Sequence, residues 1–370
     1  MPPRSSILVI GSIILLSCLS FQQWKIDFQS ILLSNQPLAF RAKICNSTTQ
    51  SELRVTNTTT TTTTSPYLLD CLAVVRNRQS DYYNLSHFEQ VRTLTHPYPF
   101  TVHVHTTRDV VVSKALVTDG CFECSSFFSL MNALYSQPRE KVFLLDLGGN
   151  IGQYSLGAAA NRYEAVAFEP TRKNWGAFCH SVAANPHFDQ LIRVYNVALY
   201  ERMNASKLLL GARFFRNPSA NYVVDGKVKG GIEGETFTWA VSVDMLVRDN
   251  HLSLTNKSSV VVKADVEGFE CKALQGAMQL LSSLNVVFVL MESNPERLRE
   301  CRNRQELFDL FRNNGLKPYI FHVHDSSWLP VDAKNWTNWT YNMLQDDAPN
   351  RNISNFDVAW SRNMPNSTDF

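Results

Sequence analysis

The sequence predicts an α/β fold in which a mostly parallel sheet carries helices on both faces. Between Lys141 and Met291, strand-like runs that are apolar throughout alternate with helical segments. Strands of this kind are buried on both faces, which is typical of parallel sheets. Acidic or glycine residues follow several of these runs. Because ligands of such folds bind beyond the carboxyl ends of the strands, the same region is predicted to carry a binding site.

The predicted elements follow one another in chain order. Two early strands are predicted, TVHVH at Thr101–His105 and VVVSKALV at Val110–Val117. The regular part begins with VFLLDL as a strand, IGQYSLGAAAN as a helix, EAVAF as a strand, TRKNWGAFCHSVAAN as a helix and LIRVYNVAL as a strand. It continues with VVVKAD (Val260–Asp265) as a strand, one helix from Gly268 to about Leu281, and NVVFVLM (Asn285–Met291) as a strand.

Composition divides the chain of 370 residues into six segments. They are a cytosolic tail (1–6), an uncharged apolar run (7–21), a threonine-rich stem (22–66), a lead-in region (67–139), the regular core (140–300) and its completion (301–370). The apolar run is intermediate in length between a signal-peptide core and a membrane span. We interpret it as a membrane anchor, with a cleaved signal peptide as the alternative. Either interpretation sends the chain into the secretory pathway.

Glycosylation sequons and cysteines agree with that compartment. Nine sequons follow the apolar run, at Asn46, Asn57, Asn84, Asn204, Asn256, Asn335, Asn338, Asn352 and Asn366. Nine together favour a lumenal location, with the Golgi as our prediction for an anchored chain and secretion for a cleaved one. The spacing of Cys121 and Cys124 suits a redox pair or half of a zinc site. No second pair of this kind accompanies it, so we predict a structural disulfide.

The segment DLGGNIG (146–152), which begins with the last two residues of the VFLLDL strand, limits the kinds of ligand that can bind there. It lacks the lysine and hydroxyl residue of a nucleotide-binding P-loop. Its glycines span four positions and Asn150 replaces the middle glycine of G-x-G-x-x-G, which disfavours a dinucleotide. An acid, a close backbone and an amide suit a ligand with an ammonium and a carboxylate, such as S-adenosylmethionine. The formal net charge of +2 is spread along the chain, so no nucleic-acid partner is predicted.

A second acid supports this ligand. Glu169 follows the next strand, about 20 residues after the loop, where a carboxylate can accept hydrogen bonds from both ribose hydroxyls. That position suits a nicotinamide cofactor equally well. The glycine spacing favours S-adenosylmethionine.

Two stretches resemble the FkbM-type methyltransferase family. They are LLDLGGNIGQYS with AFEPTRKN after it, and VVKADVEGFECKALQGA (Val261–Ala277), which is similar to that family's K-x-D-x-E-G-x-E-x-x-x-L-x-G block. Between them, VYNVAL and WAVSVDML (Trp239–Leu246) are similar to its intervening strands. The resemblance implies a seven-stranded, Rossmann-like class I methyltransferase fold, S-adenosylmethionine as donor and usually a hydroxyl oxygen as acceptor. Gly149, where such loops often have alanine, and an insertion at about 216–235 depart from the pattern.

The resemblance also implies roles for individual residues. It places Asp146, Gly148, Asn150 and Gly152 beside the methionine part of the donor, Glu169 beside the ribose and Asn196 near the adenine. Asp265 and Glu267, with Lys263 two residues earlier, stand at the usual edge of the acceptor pocket. We predict that Asp265 or Glu267 is the general base, although both acids also suit capping of the following helix.

The sequence allows alternatives for the metal ion, for the acceptor and for the function. A divalent ion held by Asp265, Glu292 and Asn294 is an alternative that we do not favour. The compartment points to a glycan hydroxyl as acceptor, and Trp328, Trp336 and Trp339 offer faces on which sugars can stack. The rival functions are a non-catalytic lumenal binding protein that retains the fold and, less favoured, a nicotinamide-dependent oxidoreductase.

Overall fold

A computed structural model describes residues 71–72, 75, 88–93, 98–106, 109, 111–202, 204–212, 221–224, 236–293, 301, 304–322, 327–331 and 356–365. All of them belong to the second of two compact units, residues 62–370. The predicted anchor and stem, Asn294, Trp336 and Trp339 lie outside the described residues. Within those residues, no helix combines the length and apolar character needed to cross a membrane.

The described residues form fourteen strands and nine helices. The strands are β1 Phe88–Arg92, β2 Thr101–His105, β3 Val142–Leu147, β4 Glu164–Phe168, β5 Ile192–Tyr195, β6 Ala198–Leu199, β7 Ser206–Ala212, β8 Asn221–Val224, β9 Thr236–Val241, β10 Ser259–Ala264, β11 Asn285–Ser293, β12 Lys317–His322, β13 Ser327–Pro330 and β14 Phe356–Ser361. The helices are α1 Val112–Asp119, α2 Cys124–Tyr135, α3 Gln153–Ala160, α4 Arg172–Ala184, α5 Phe188–Leu191, α6 Val243–Arg248, α7 Glu270–Gln275, α8 Met278–Ser283 and α9 Arg304–Asn313.

The main sheet has eight strands in the order β13-β12-β14-β11-β10-β3-β4-β5. The five strands from β11 to β5 pair in parallel, and β14 runs antiparallel to both of its neighbours. The predicted mostly parallel sheet is therefore confirmed, and β13 extends it beyond the seven expected strands by pairing with β12. The chain adds β4 and β5 on one side of β3 but β10 on the other. The strand order thus reverses between β3 and β10, where such sheets open a ligand crevice.

The strands are apolar throughout because helices cover both faces of the sheet. Along β3, Leu144 packs into one buried cluster and Leu145 into another on the opposite face. The first cluster includes Phe178 of α4, and the second includes Phe311 of α9. Burying a leucine completely contributes roughly 1.5–3 kcal/mol, so the two clusters hold β3 at the centre of the domain.

One early prediction was wrong, because VVVSKALV begins a helix rather than a strand. The three valines favour a strand, but Asp109 caps the helix α1. Its carboxylate accepts hydrogen bonds from the amides of Val112 and Ser113, at 3.1 and 2.9 Å, and from the Ser113 hydroxyl at 2.6 Å. The predicted strand at Thr101–His105 is confirmed as β2.

LIRVYNVAL forms two strands instead of one. Ile192–Tyr195 joins the main sheet as β5, whereas Ala198–Leu199 pairs with β9 in a separate sheet of order β6-β9-β7-β8. WAVSVDML also divides, since its second half is the helix α6. Ser242 begins that helix by accepting a hydrogen bond from the Met245 amide at 3.1 Å.

The helix predicted from Gly268 to Leu281 is broken into α7 and α8 at Gly276. A Cβ atom on Gly276 would lie 2.2 Å from the carbonyl oxygen of Tyr200, so only glycine fits this contact. The Asp244 carboxylate then caps α8 by accepting hydrogen bonds from the amides of Gln279 and Leu280, both at 2.9 Å. Contacts with distant parts of the chain therefore decide where the helix ends.

Three disulfide bonds lie within the described residues, Cys71–Cys179, Cys121–Cys124 and Cys271–Cys301. The first joins the lead-in region to α4. The C-x-x-C pair closes on itself, so its two cysteines are partners of each other. Three disulfides are typical of a protein that folds in an oxidising compartment.

We expect one histidine pair to make the fold sensitive to acid. Burial, and then the neighbouring His180, lower the pKa of His103 from its ordinary value to about 4, and the two rings lie 5.5 Å apart. The folded state then binds fewer protons than the unfolded chain, so stability falls as the pH drops from 6.5 towards 4. Because His103 is partly exposed, we expect a loss of about 1–2 kcal/mol.

Urea unfolding of the wild type and of His103→Gln, at pH 7.5 and at pH 4.5, measures this effect. The variant should lose less stability over that interval than the wild type. Parallel behaviour of the two proteins would mean that other groups cause the acid sensitivity.

Candidate active site

The loop after β3 makes a tight turn against the neighbouring strands. The amides of Gly148 and Gly149 donate to the carbonyl oxygen of Phe168, at 3.0 and 2.9 Å. Gly148 has a φ of +86°, and a Cβ atom there would lie 1.8 Å from the carbonyl oxygen of Asp265. Gly152 has a φ of +97°, and its Cβ would meet the Phe178 ring at 2.4 Å. These two glycines are therefore needed for chain packing as well as for the turn.

Asp146 lies below this loop, in contact with Lys263. The two residues are register partners of β3 and β10, and they are 0% and 5% exposed. The Lys263 Nζ atom lies 2.5 Å from the carbonyl oxygen of Gly148, 3.2 Å from the Asp265 carboxylate and 3.9 Å from that of Asp146. Ser155 donates to the other Asp146 oxygen at 2.6 Å. Asp146 is thus a buried support of the loop rather than part of the cleft wall.

Lys263 remains positively charged in this setting. Burial alone favours the neutral amine, but the carboxylates of Asp265 and Asp146 outweigh it and raise the pKa of Lys263 above its ordinary value. The same ammonium opposes the effect of burial, which raises the pKa of Asp146. Lys263 therefore orients Asp265 and cannot act as a base.

A cleft opens at the reversal between β3 and β10. It contains about 600 Å³ of space, open solvent included. Its walls are formed by Gly148, Asn150, Phe168, Glu169, Pro170, Thr171, Asn174, Val197, Ala198, Leu199, Asp265, Val266, Glu267 and Phe269. The predicted residues Gly148, Asn150, Glu169, Asp265 and Glu267 thus meet in one cleft.

Glu169 lies on the wall that the loop forms. Its carboxylate accepts hydrogen bonds from the amides of Asn150 and Thr171, at 2.9 and 2.8 Å, which hold both segments around it. Burial is the main cause that raises the pKa of Glu169 to about 7. The side-chain oxygen of Asn150 is buried and has no hydrogen-bond partner in the described structure. A buried acceptor of this kind suits the ammonium of a ligand.

Asn196 supports that wall from behind. Its side-chain amide donates to the carbonyl oxygens of Glu169 and Pro170, at 2.8 and 3.2 Å. Asn196 itself does not line the cleft, whereas Val197, the residue after it, does. The role of Asn196 is therefore to hold the segment that carries Glu169.

A second wall of the cleft, formed by the segment after β10, carries Asp265 and Glu267, which are both partly exposed. Glu270 closes their loop by accepting hydrogen bonds from the amides of Val266 and Gly268, at 3.0 and 2.9 Å. Within the described residues, no side chain caps α7 through a hydrogen bond, so the capping expected of these acids is not observed. This leaves Asp265 and Glu267 facing the cleft.

Asp265, Glu270 and Glu292 place ligand oxygens within 4.8 Å of one another. Two of these acids belong to the predicted metal set. The arrangement nevertheless fits a metal ion poorly, since Glu270 already holds two backbone amides and the Lys263 ammonium already neutralises Asp265.

Trp328 lies in the core. It is 2% exposed, and its indole N–H donates to the Ser129 hydroxyl at 2.9 Å. Trp328 is therefore an ordinary core residue and offers no stacking face for sugars.

Three residues near the cleft had no signal in the sequence. They are Glu123, Tyr154 and Asp357, which come from three distant parts of the chain. Asp357 on β14 is the register partner of Glu292 on β11, and Ser126 donates to its carboxylate at 2.6 Å. Burial is the main cause that raises the pKa of Asp357 to about 6.

Fold and site together define a doubly wound α/β protein with a ligand cleft at its topological switch point. No known protein family and no curated protein matches the sequence.

Solved structures similar to the chain are methyltransferases. One is a SAM-dependent methyltransferase from Agrobacterium tumefaciens, with 12% identity over 74% of this chain and 71% of that chain, and a TM-score of 0.35. A second is precorrin-6y C5,15-methyltransferase from Geobacter metallireducens, with 8% identity, 68% and 94% coverage, and a TM-score of 0.32. A third is the METTL16 methyltransferase domain, with 12% identity over 63% of this chain and 65% of that chain, and a TM-score of 0.30. Just under two thirds of that chain is therefore spanned. Because all three TM-scores are low, the proposed function rests on the residues of the cleft.

Proposed function

We propose that this protein transfers a methyl group from S-adenosylmethionine to a hydroxyl oxygen. The observation that carries the proposal is that two walls of one cleft carry polar side chains suited to different ligands. Asn150 and Glu169 stand on the first wall, and Asp265 and Glu267 stand on the second. The first wall suits the donor and the second suits the acceptor.

The donor wall offers hydrogen-bond acceptors for both ends of the donor. The unpartnered oxygen of Asn150 suits the methionine ammonium, and Glu169 suits the ribose hydroxyls. Both oxygens of Glu169 already hold backbone amides, but each carboxylate oxygen has a second lone pair for a ligand. Asp146 and Asn196 act indirectly, by supporting the loop and the segment after β4.

The acceptor wall supplies the base. The sulfonium of the donor provides a methyl group that is already activated, so the chain needs mainly to align it with the acceptor. As the acceptor oxygen bonds to the methyl carbon and the carbon–sulfur bond breaks, Asp265 or Glu267 takes the hydroxyl proton. Such a base contributes roughly 10²- to 10⁴-fold to the rate. Lys263 fixes the orientation of Asp265.

We further propose that the enzyme works in the secretory pathway on a glycan hydroxyl. Three disulfides support an oxidising compartment. The sequon residues Asn204 and Asn256 are exposed, as glycosylation requires. In this proposal the apolar run at 7–21 anchors the chain to the Golgi membrane.

Titration calorimetry of the purified chain with S-adenosylhomocysteine tests the proposal. The wild type should bind it, and Glu169→Gln should bind it roughly 10- to 100-fold more weakly, because a charge-assisted hydrogen bond to a ribose hydroxyl is lost. Glu164→Gln is the matched control, since Glu164 begins the same strand and pairs with Lys257 away from the cleft.

Other outcomes of this titration would contradict the assignment. Binding of NAD in place of S-adenosylhomocysteine would support an oxidoreductase. If the folded wild type bound neither ligand, the non-catalytic binding protein would be the better description.

A further inference from the structure

The disulfide loop between α1 and α2 is attached to both sides of the candidate active site. Gln153, at the start of α3, accepts a hydrogen bond from the Phe122 amide at 2.7 Å and donates to the Phe122 carbonyl oxygen at 2.8 Å. Ser126, in the first turn of α2, donates to Asp357 on β14. Glu123 lies between these two anchors, directly after Phe122.

Glu123 is held in an unfavourable position. Its φ of 47° places a non-glycine residue in the left-handed region, next to the Cys121–Cys124 disulfide. Glu123 is accessible to solvent. Partial burial of its carboxyl group, and then the carboxylates of Asp357 and Asp265, nevertheless raise the pKa of Glu123. Strain and like-charge repulsion both favour release of this loop. The disulfide and the Gln153 clamp oppose that release.

A buried hydroxyl lies in the same place without a partner. Tyr154 on α3 is 7% exposed, and its hydroxyl makes no hydrogen bond within the described structure. Burial, and then the carboxylates of Glu123 and Asp357, raise its pKa, and the Lys263 ammonium lies 5.6 Å from its ring. A buried polar group of this kind is normally satisfied by protein, water or ligand. The buried Tyr154 hydroxyl, which the carboxylates of Glu123 and Asp357 influence, therefore has hydrogen-bonding capacity left for a polar ligand.

We propose that Glu123, Tyr154 and Asp357 form an acceptor subsite beside the donor cleft, and that the Cys121–Cys124 disulfide holds Glu123 in it. The inference rests on the proposed methyl transfer and names the residues beyond Asp265 that meet the acceptor. Carboxylates accept hydrogen bonds from hydroxyls and repel anions. The subsite therefore takes an uncharged, hydroxyl-bearing acceptor rather than a sulfated or phosphorylated one.

Two donor analogues test the subsite without a known acceptor. S-adenosylhomocysteine is neutral at its sulfur, whereas sinefungin carries a cationic amine where the transferred methyl group would be. Carboxylates that face the transfer point should make the wild type bind sinefungin roughly tenfold more tightly than S-adenosylhomocysteine. We expect Glu123→Gln to reduce that preference about three- to tenfold and to leave the affinity for S-adenosylhomocysteine unchanged. Glu140→Gln, at an exposed position outside the site, is the control and should change neither.

Cysteine variants test the part played by the disulfide. The double variant Cys121→Ser/Cys124→Ser should lose the same preference as Glu123→Gln, and the combined triple variant should lose no more. Glu123→Gln should also raise Tm by about 1–3 °C, because it removes repulsion at a strained position, and this gain should disappear without the disulfide. If the double variant fails to fold, Gln153→Leu releases the loop with the disulfide intact.

Each contrary outcome has its own meaning. An unchanged preference in Glu123→Gln, with both ligands bound, overturns the subsite. A preference lost in Glu123→Gln but kept in both loop-releasing variants overturns the role of the disulfide. If the folded wild type binds neither ligand, the proposed methyl transfer fails and the subsite fails with it.

Discussion

Replacing Lys263 with methionine is expected to destabilise the fold by about 3–5 kcal/mol. The ammonium neutralises the fully buried Asp146 and holds the carbonyl oxygen of Gly148, and methionine does neither. Removing one partner of a buried pair leaves an uncompensated charge, which is far costlier than loss of a surface pair. Urea unfolding with the disulfides intact measures the change, and binding of S-adenosylhomocysteine should be lost as well.

Two further variants make this expectation specific. Lys257→Met breaks a pair with Glu164 in which the lysine side chain is 4% exposed but the carboxylate is 38% exposed. Because the carboxylate left behind remains in contact with water, about 1 kcal/mol should be lost. Combining Lys263→Met with Asp146→Leu should recover much of the stability, because no buried charge then remains without a partner. If Lys263→Met were no more harmful than Lys257→Met, the buried pair would not support the loop as described.

The second large effect is expected for Gly148→Ala. The new Cβ would lie 1.8 Å from the carbonyl oxygen of Asp265. Both atoms are fixed directly to backbone segments that cannot move independently. The φ of +86° adds further strain for alanine. We expect a loss of about 3 kcal/mol or more, because both walls of the cleft must shift. Thermal unfolding and titration with S-adenosylhomocysteine measure the two consequences.

Gly149→Ala is the matched control for this substitution. A Cβ at Gly149 would meet the Phe178 ring at 3.1 Å and the Ala167 side chain at an ordinary 3.5 Å, and the ring can yield by the few tenths of an ångström required. The loss should stay below about 1.5 kcal/mol, and the donor should still bind. Equal effects of the two substitutions would show that the backbone contact with Asp265 is not what Gly148 protects.

The central strands could be predicted because their signal is local. β3, β4, β10 and β11 are apolar runs that end at an acid or a glycine, and the structure has them where expected. The errors arose where another interaction outweighed the local pattern. The side chain of Asp109 turned a valine-rich run into α1, and the contact between Gly276 and Tyr200 divided one predicted helix into two.

The residues of the cleft were predictable to the extent that they follow strands. Glu169 and Asp265 each come directly after a parallel strand, and the carboxyl ends of such strands meet at one edge. Asp146 and Asn196 lie near the carboxyl ends of such strands as well, yet one lies below the loop and the other behind the wall. A position at the end of a strand therefore does not by itself separate residues that line a ligand site from those that support it.

The sequence by itself determined the alternation of strands and helices, the turn that needs Gly148, and the acids that follow the central strands. These features depend on side-chain periodicity and backbone sterics over a few residues, which a linear pattern contains. Only the tertiary structure decided that Lys263 neutralises Asp146 and that Glu123 lies near Asp357. Residues so far apart in the chain meet only when the sheet brings strand ends together, and electrostatic energy depends on the resulting distances and burial.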